Sequence, residues 1–274
     1  MKLISFFYTT ILTISYSQII DVNMSQFSKN HNLPFWVQSN KNGIYDSYFI
    51  SHYEDLDSLK FFNYGFTIFL DKKDSNKPRL SQAYLELIKN NFKLQIGTKG
   101  KINKSNLSSG LLIQSSNAKN IPKISLMHNN TLKLNFFKNR LKYKAKISHG
   151  WINGSQYIKN PFLHEKSLDF EITSISKSTF SAGLLHMALW AGETIEHGVQ
   201  PSAPSDFLRI IFARPGENKS LYQEKKNALG NHLGVWRFSF KKIINSRSFH
   251  IYYQHPFEDE SGARWILNEF DGLY

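Results

Sequence analysis

The residues best suited to chemistry in this sequence are indoles, ammonium groups and imidazoles, on a chain with no cysteine. Trp151, Trp190 and Trp265 each stand where a patterned segment meets a polar loop, and Trp236 stands near the start of another such segment. An indole has a flat apolar face that stacks on the C–H surface of a sugar, with flanking polar groups left for the hydroxyls. Indoles also collect in belts where a protein surface passes from lipid to water, so each Trp carries both readings. Lys142, Lys144, Lys146 and Arg237 lie on the polar side of alternating segments. There they attract carboxylate-bearing sugars or are simply solvated.

Imidazole is the commonest metal ligand, and His149, His164, His186, His197, His232 and His255 raise that reading. None has the HExxH or H-x-H spacing that puts two ligands on one site, so structural hydrogen bonds are expected and no metal or cofactor. Glu165, Glu258, Asp259 and Glu260 offer carboxylates, and glycoside hydrolysis needs two of them about 5 to 10 Å apart across a sugar. Spacing in sequence does not set that distance, and Arg264 gives the 258–260 run a partner for a loop salt bridge. There is no G-x-S-x-G elbow and no P-loop; the glycines at 110, 154 and 192 read as turns. Without cysteine there is no thiol catalysis, no Cys-ligated zinc and no disulfide framework. The candidates favour binding over catalysis.

These side chains must be positioned by strands. In residues 131–151 Leu132, Leu134 and Phe136 alternate with Lys133, Asn135 and Phe137, and Lys138, Asn139 and Arg140 turn the chain. On the return Leu141, Tyr143, Ala145 and Ile147 alternate with Lys142, Lys144, Lys146 and Ser148. Successive strand side chains point to opposite faces, so this is a hairpin with one apolar and one basic face. A soluble antiparallel sheet turns its apolar face to a core; an outer-membrane barrel turns it to lipid and its lysines to a wet lumen. Composition supports strands, with 22 Phe and 13 Tyr among 274 residues. The formal net charge of +13 favours anionic partners. The lysines are interleaved rather than gathered in a block, which argues against nucleic acid.

Lys2, the apolar run LISFFYTTILTI (3–14) and small Ser15 and Ser17 form a signal peptide over residues 1–17. No later stretch is apolar enough for a spanning helix. Segments 33–46, 59–71, 80–90, 92–100, 168–175, 179–190, 234–242 and 248–255 read as strands, with a bulge or tight position at Gly65. Residues 207–216 read as a strand or short helix, a short helix fits near 25–30, and 46–58 reads as an acidic solvated stretch. Tight polar turns alternate with long loops, among them 102–122, 150–167 and 191–206. That asymmetry predicts an all-β fold: an antiparallel outer-membrane β-barrel of about 10–12 strands with long external loops, forming a single domain over residues 18–274.

The sequence resembles the capsule assembly proteins of the Wzi type, in the form carried by Bacteroidetes. The likeness rests on LPFWVQSNKNGIYD (33–46), AYLELIKNNFKLQIGTK (83–99), LSSGLLIQSSNAKNIPKISL (107–126), HGWINGSQYIKNPFLHEKSL (149–168), SAGLLHMALWAGE (181–193), QPSAPSDFLRIIF (200–212), ALGNHLGVW (228–236) and YYQHPFEDESGARW (252–265). The resemblance implies a monomeric outer-membrane barrel, plugged by helices and loops, that binds capsular or extracellular polysaccharide without catalysis. Its partners would be an acidic polysaccharide and outer-membrane lipid, and its candidate binding residues are Trp151, Trp190, Trp236, His149, Lys142, Lys144, Lys146 and Arg237. A glycan-active enzyme and a passive porin-like channel are the alternatives. Relatives of this type are longer, so either these ten to twelve strands close a smaller barrel or the barrel is partial, with C-terminal strands missing.

Overall fold

Alternation of apolar and polar residues carries directly into the backbone. The computed structural model describes residues 18–25, 48–55, 61–71, 78–100, 110–115, 118–133, 140–174, 177–217, 220–245, 247–258 and 262–264. Eleven strands form one sheet: β1 (Gln18–Ser25), β2 (Tyr48–Asp55), β3 (Phe62–Asp71), β4 (Pro78–Lys89), β5 (Phe92–Thr98), β8 (Lys123–Lys133), β9 (Arg140–Trp151), β10 (Phe162–Thr173), β11 (Ser178–Trp190), β14 (Asn231–Ile244) and β15 (Arg247–Phe257). Each pairs antiparallel with its neighbour in that order, so the sheet is an uninterrupted meander. The sheet is open, with β1 and β15 as its two edges. Two small hairpins stand apart from it: β6 (Gly110–Leu111) with β7 (Gln114–Ser115), and β12 (Glu193–Thr194) with β13 (Gly198–Val199). Helices α1 (Pro204–Phe212) and α2 (Tyr222–Lys226) precede β14.

Connections are short at one end of the sheet and long at the other. Asn90 and Asn91 join β4 to β5, residues 174–177 join β10 to β11, and residues 245–246 join β14 to β15. Asn90 and Asn245 take the positive φ of such tight turns, which Asn tolerates better than most residues. At the opposite end run residues 99–122, 152–161 and 191–230. The asymmetry expected from the sequence is present.

Several local expectations are corrected. Residues 48–55, read as part of an acidic solvated stretch, form β2; Tyr48, Ile50 and His52 pair across to Asp71, Phe69 and Thr67 of β3. Gln18–Ser25, read as weakly patterned, is β1. The irregularity in β3 falls between Thr67 and Ile68, not at Gly65. Of the two readings of Gly65 the tight position holds: the Tyr84 side chain lies over it, where a Cβ would meet it at 2.7–2.9 Å. Residues 204–212 settle as helix: Pro204 suits a first turn, and Asp206 accepts a hydrogen bond from the Ala203 N–H at 2.8 Å. The signal-peptide segment 1–17, the strand expected at 33–46, the helix near 25–30, and Trp265, Asp259 and Glu260 lie outside the described residues.

The two faces of the sheet are inverted relative to a soluble protein. On one face Phe66, Ile96, Ile124, Leu126, Ile147, Leu168, Phe170, Phe180, Phe238 and Ile251 are exposed. On the other, Asn63, Thr67, Glu86, Ser125, Ser148 and Glu165 are buried. Toward the long-loop end both faces acquire covers. Leu111, Ile113 and Ile121 of the 99–122 loop pack on Leu163, Leu185, Met187 and Val235 of the polar face. The Leu112 N–H donates to the Gln254 side chain on β15 at 3.0 Å, so this loop spans the polar face from β5 and β8 across to the far edge. On the apolar face α1 seats Ile210 and Phe207 against Ala188, Trp190 and Phe162.

Candidate functional site

Register brings the polar residues into a row that sequence spacing does not reveal. Asn63, Glu86, Gln95, Ser125, Ser148 and Glu165 are cross-strand partners on β3, β4, β5, β8, β9 and β10. Glu165 is 2% exposed. Lys123 donates to its Oε1, Lys146 to its Oε2 at 3.1 Å, and the Ser148 hydroxyl to Oε2 at 3.0 Å. Glu86, equally buried, accepts from Lys93 at 3.0 Å and Lys99 at 3.1 Å. Burying a carboxylate costs several kcal/mol unless cations and donors satisfy it, and each glutamate here holds two ammonium groups. The two are four strand spacings apart, roughly 19 Å along the sheet at about 4.8 Å per strand. That is well beyond the separation of about 5 to 10 Å over which paired carboxylates act on a glycosidic bond. Of the other carboxylates considered, Glu258 is exposed just past β15.

The basic candidates sit on this same face and are compensated there. Lys142 pairs with Glu171 at 3.4 Å, Lys146 with Glu165, and Arg237 with Asp169 at 2.6 Å. Asp169 and Arg237 are two strands apart, with Gly183 between them in register. A Cβ at Gly183 would fall 2.0 Å from Asp169 Oδ1, so the missing side chain leaves the gap through which the ion pair forms. Lys144 stands opposite Asp169 on β10. Sequence reading found the lysines but not Glu86, Ser125, Lys93, Lys99 and Lys123, which come from separate hairpins and become neighbours only through register.

The aromatic candidates lie on the opposite face. Trp151 ends β9 at 42% exposure and meets His149 edge-on, with ring centroids 5.3 Å apart. Trp190 is 6% exposed, stacked on Phe207 at 5.4 Å beneath α1. Trp236 is half-buried on β14 and donates its indole N–H to the Ala263 carbonyl at 3.2 Å. His149 is surrounded by Trp151, Phe162, Trp190 and Phe207. The eight candidates are therefore split: Trp151, Trp190, Trp236 and His149 on the apolar face, and Lys142, Lys144, Lys146 and Arg237 on the polar one.

The histidines follow packing. His186 and His232 are hydrogen-bonded ring to ring at 2.9 Å, and His232 also reaches the Leu229 carbonyl at 2.7 Å. His164 is fully buried, with neither ring nitrogen hydrogen-bonded among the described residues and the Phe207 ring edge-on at 5.5 Å. Among the described residues no group of three or more His, Asp or Glu is arranged to hold a metal. Lys166, from the apolar face, donates to the Ile211 carbonyl at the end of α1, a favourable place for a cation.

A family model described as capsule assembly protein Wzi matches residues 23–272. The chain belongs to this family. No curated protein and no solved structure matches the chain. The match spans every strand from β2 to β15, so the meander from β2 onward, both covers and the buried ion-pair row all fall within the family region. No helix among the described residues is long and apolar enough to cross a membrane. Chemically, the polar face offers fixed charges and hydroxyls suited to holding an anionic, hydroxylated ligand.

Proposed function

We propose that this chain is an outer-membrane barrel, one domain over residues 18–274, that binds capsular or extracellular polysaccharide. It helps attach and assemble that polysaccharide at the cell surface, acting as a monomer without catalysis. Membership of a capsule assembly family supports the role. The observation that carries the membrane reading is the inversion of faces. Phe66, Leu168, Phe170, Phe180, Phe238 and Ile251 stand bare while Glu86 and Glu165 are buried. A contiguous apolar surface of this kind on a soluble protein would aggregate or demand a partner. Strands of 12 residues such as β4, β9 and β10 exceed the roughly 9–11 needed to cross a bilayer. Lipid covers the apolar face, residues 1–17 direct export, and the positive charge favours an acidic polysaccharide.

In a bilayer the outer hydrogen-bonding groups of β1 and β15, which face no strand among the described residues, must be paired, because lipid offers no substitute for water. The reading therefore predicts heat-modifiable mobility. Unheated chain from an outer-membrane fraction should migrate faster on a gel than boiled chain, because a closed barrel resists detergent. Identical mobility in both samples would sink the barrel. Polysaccharide binding has its own test: cells lacking the protein should shed capsule into the medium, and capsule fully retained on those cells would count against the role.

A further inference from the structure

We propose that a cavity on the polar face, between β4, β5, β8 and β9, binds an anionic sugar unit, one carrying a carboxylate or a phosphate. The cavity is about 260 Å³, toward the small end for ligand sites and suited to a single unit rather than a long segment. Lys93, Lys99, Lys123 and Lys146 all line it, together with Gln95 and Ser125. Its wall on one side includes Gln114, Asn120 and Ile121 from the connection between β5 and β8.

Charge is the first argument. Among the described residues the four lysines share two carboxylates, Glu86 and Glu165, so ammonium groups outnumber carboxylates beside one small cavity. Two buried glutamates need only two cations for neutrality, and further ammonium groups near them repel one another at low dielectric. A bound oxyanion removes that repulsion. Hydrogen bonding is the second argument and is independent of charge. Ser125 is 1% exposed, and its hydroxyl has no partner among the described residues. The Asn120 side-chain oxygen is also buried without one. Leaving such groups unsatisfied is costly, and few are tolerated in a native fold. A ligand with an oxyanion for Ser125 and a hydroxyl for Asn120 satisfies both, and an acidic sugar carries both groups on one ring. The cation excess selects an anion, and the buried acceptor selects a hydroxylated one.

This assignment rests on the polysaccharide-binding reading, and the experiment separates the two. Full-length chain, folded in detergent and verified by its heat-modifiable band, is titrated calorimetrically with trigalacturonate, glucose 1-phosphate and neutral maltotriose. Purified capsular polysaccharide from the producing cells is titrated in parallel. The two charged probes should bind and maltotriose should not; the tighter of the charged pair identifies carboxylate or phosphate as the natural group. The double variant K93Q/K99Q should weaken the charged probe about tenfold, the loss of one or two charge-assisted contacts. S125A, which keeps the packing, should weaken it several-fold, and raised salt should reduce the affinity of the unaltered protein more than that of K93Q/K99Q. Should the double variant lose its heat-modifiable band, S125A decides. Capsular polysaccharide that binds equally to the unaltered chain, K93Q/K99Q and S125A would overturn the cavity and leave the wider reading standing. Capsular polysaccharide that does not bind at all would remove both.

Discussion

Glu165→Gln is expected to destabilise the folded chain by about 3 kcal/mol, because it leaves Lys123 and Lys146 facing each other across a buried site without their shared anion. The lysine side chains are 12% and 32% exposed against 3% for the carboxylate, so the neutral amide gains little solvent to replace the lost charge. Glutamine retains one oxygen for Ser148 or a lysine but cannot neutralise either cation. The measurement is the temperature at which the folded gel band gives way to the unfolded one, followed beside Glu171→Gln. Glu171 and its partner Lys142 are 41% and 52% exposed, and exposed pairs of this kind contribute below about 1 kcal/mol. Equal transition temperatures for the two variants would show that the buried network does not hold the sheet.

The second large effect is expected on the opposite face. Ile210 of α1 is fully buried against Ala188, Trp190 and Leu229, and Ile210→Ala should cost about 3 kcal/mol through the cavity it leaves. The loss should be local. Helix α1 is held by Ile210, Phe207 and the Lys166 hydrogen bond to its last turn, whereas the meander is held by its own ladders. Regions attached through few buried contacts open below the global unfolding free energy. Ile210→Ala should therefore speed proteolytic cleavage within residues 191–230 and shift Trp190 emission to the red, read against a Trp190→Phe background. The heat-modifiable band should persist. An unchanged cleavage rate would mean that α1 is anchored elsewhere.

Much of the strand architecture was legible because its cause is local. Lys142, Lys144, Lys146 and Ser148 alternate with Tyr143, Ala145 and Ile147, and a pleated strand must send these to opposite faces whatever surrounds it. Asn90-Asn91 announces its turn for a similar reason, since few residue types accept a positive φ. Where local pattern competed with local polarity the reading failed. Glu54 and Asp55 suggested solvent at β2, yet the neighbouring strand supplied Gly65 and Tyr64 as partners and the backbone paired regardless. The segment FLRIIF (207–212) is apolar enough for a strand, and Pro204 with Asp206 at its start tipped it to helix.

The candidate site was legible in kind but not in place. The sequence by itself determined the alternation, the tight turns, the positive charge, the absence of thiol chemistry and the family likeness, all of which depend on residues close together in the chain or on totals. Tertiary structure alone decided which residues meet. Trp190 and Trp151, alike in sequence context, part company because α1 folds over one and leaves the other exposed. Lys146 and Glu165 are 19 positions apart and Lys123 and Glu165 are 42 apart, yet register sets them within hydrogen-bonding reach. A strand pattern fixes the face of each side chain, but only the pairing of whole strands fixes its neighbours. For that reason the aromatic and basic candidates ended on opposite faces, and the buried row of Glu86, Ser125 and Glu165 emerged between hairpins that no local spacing connects.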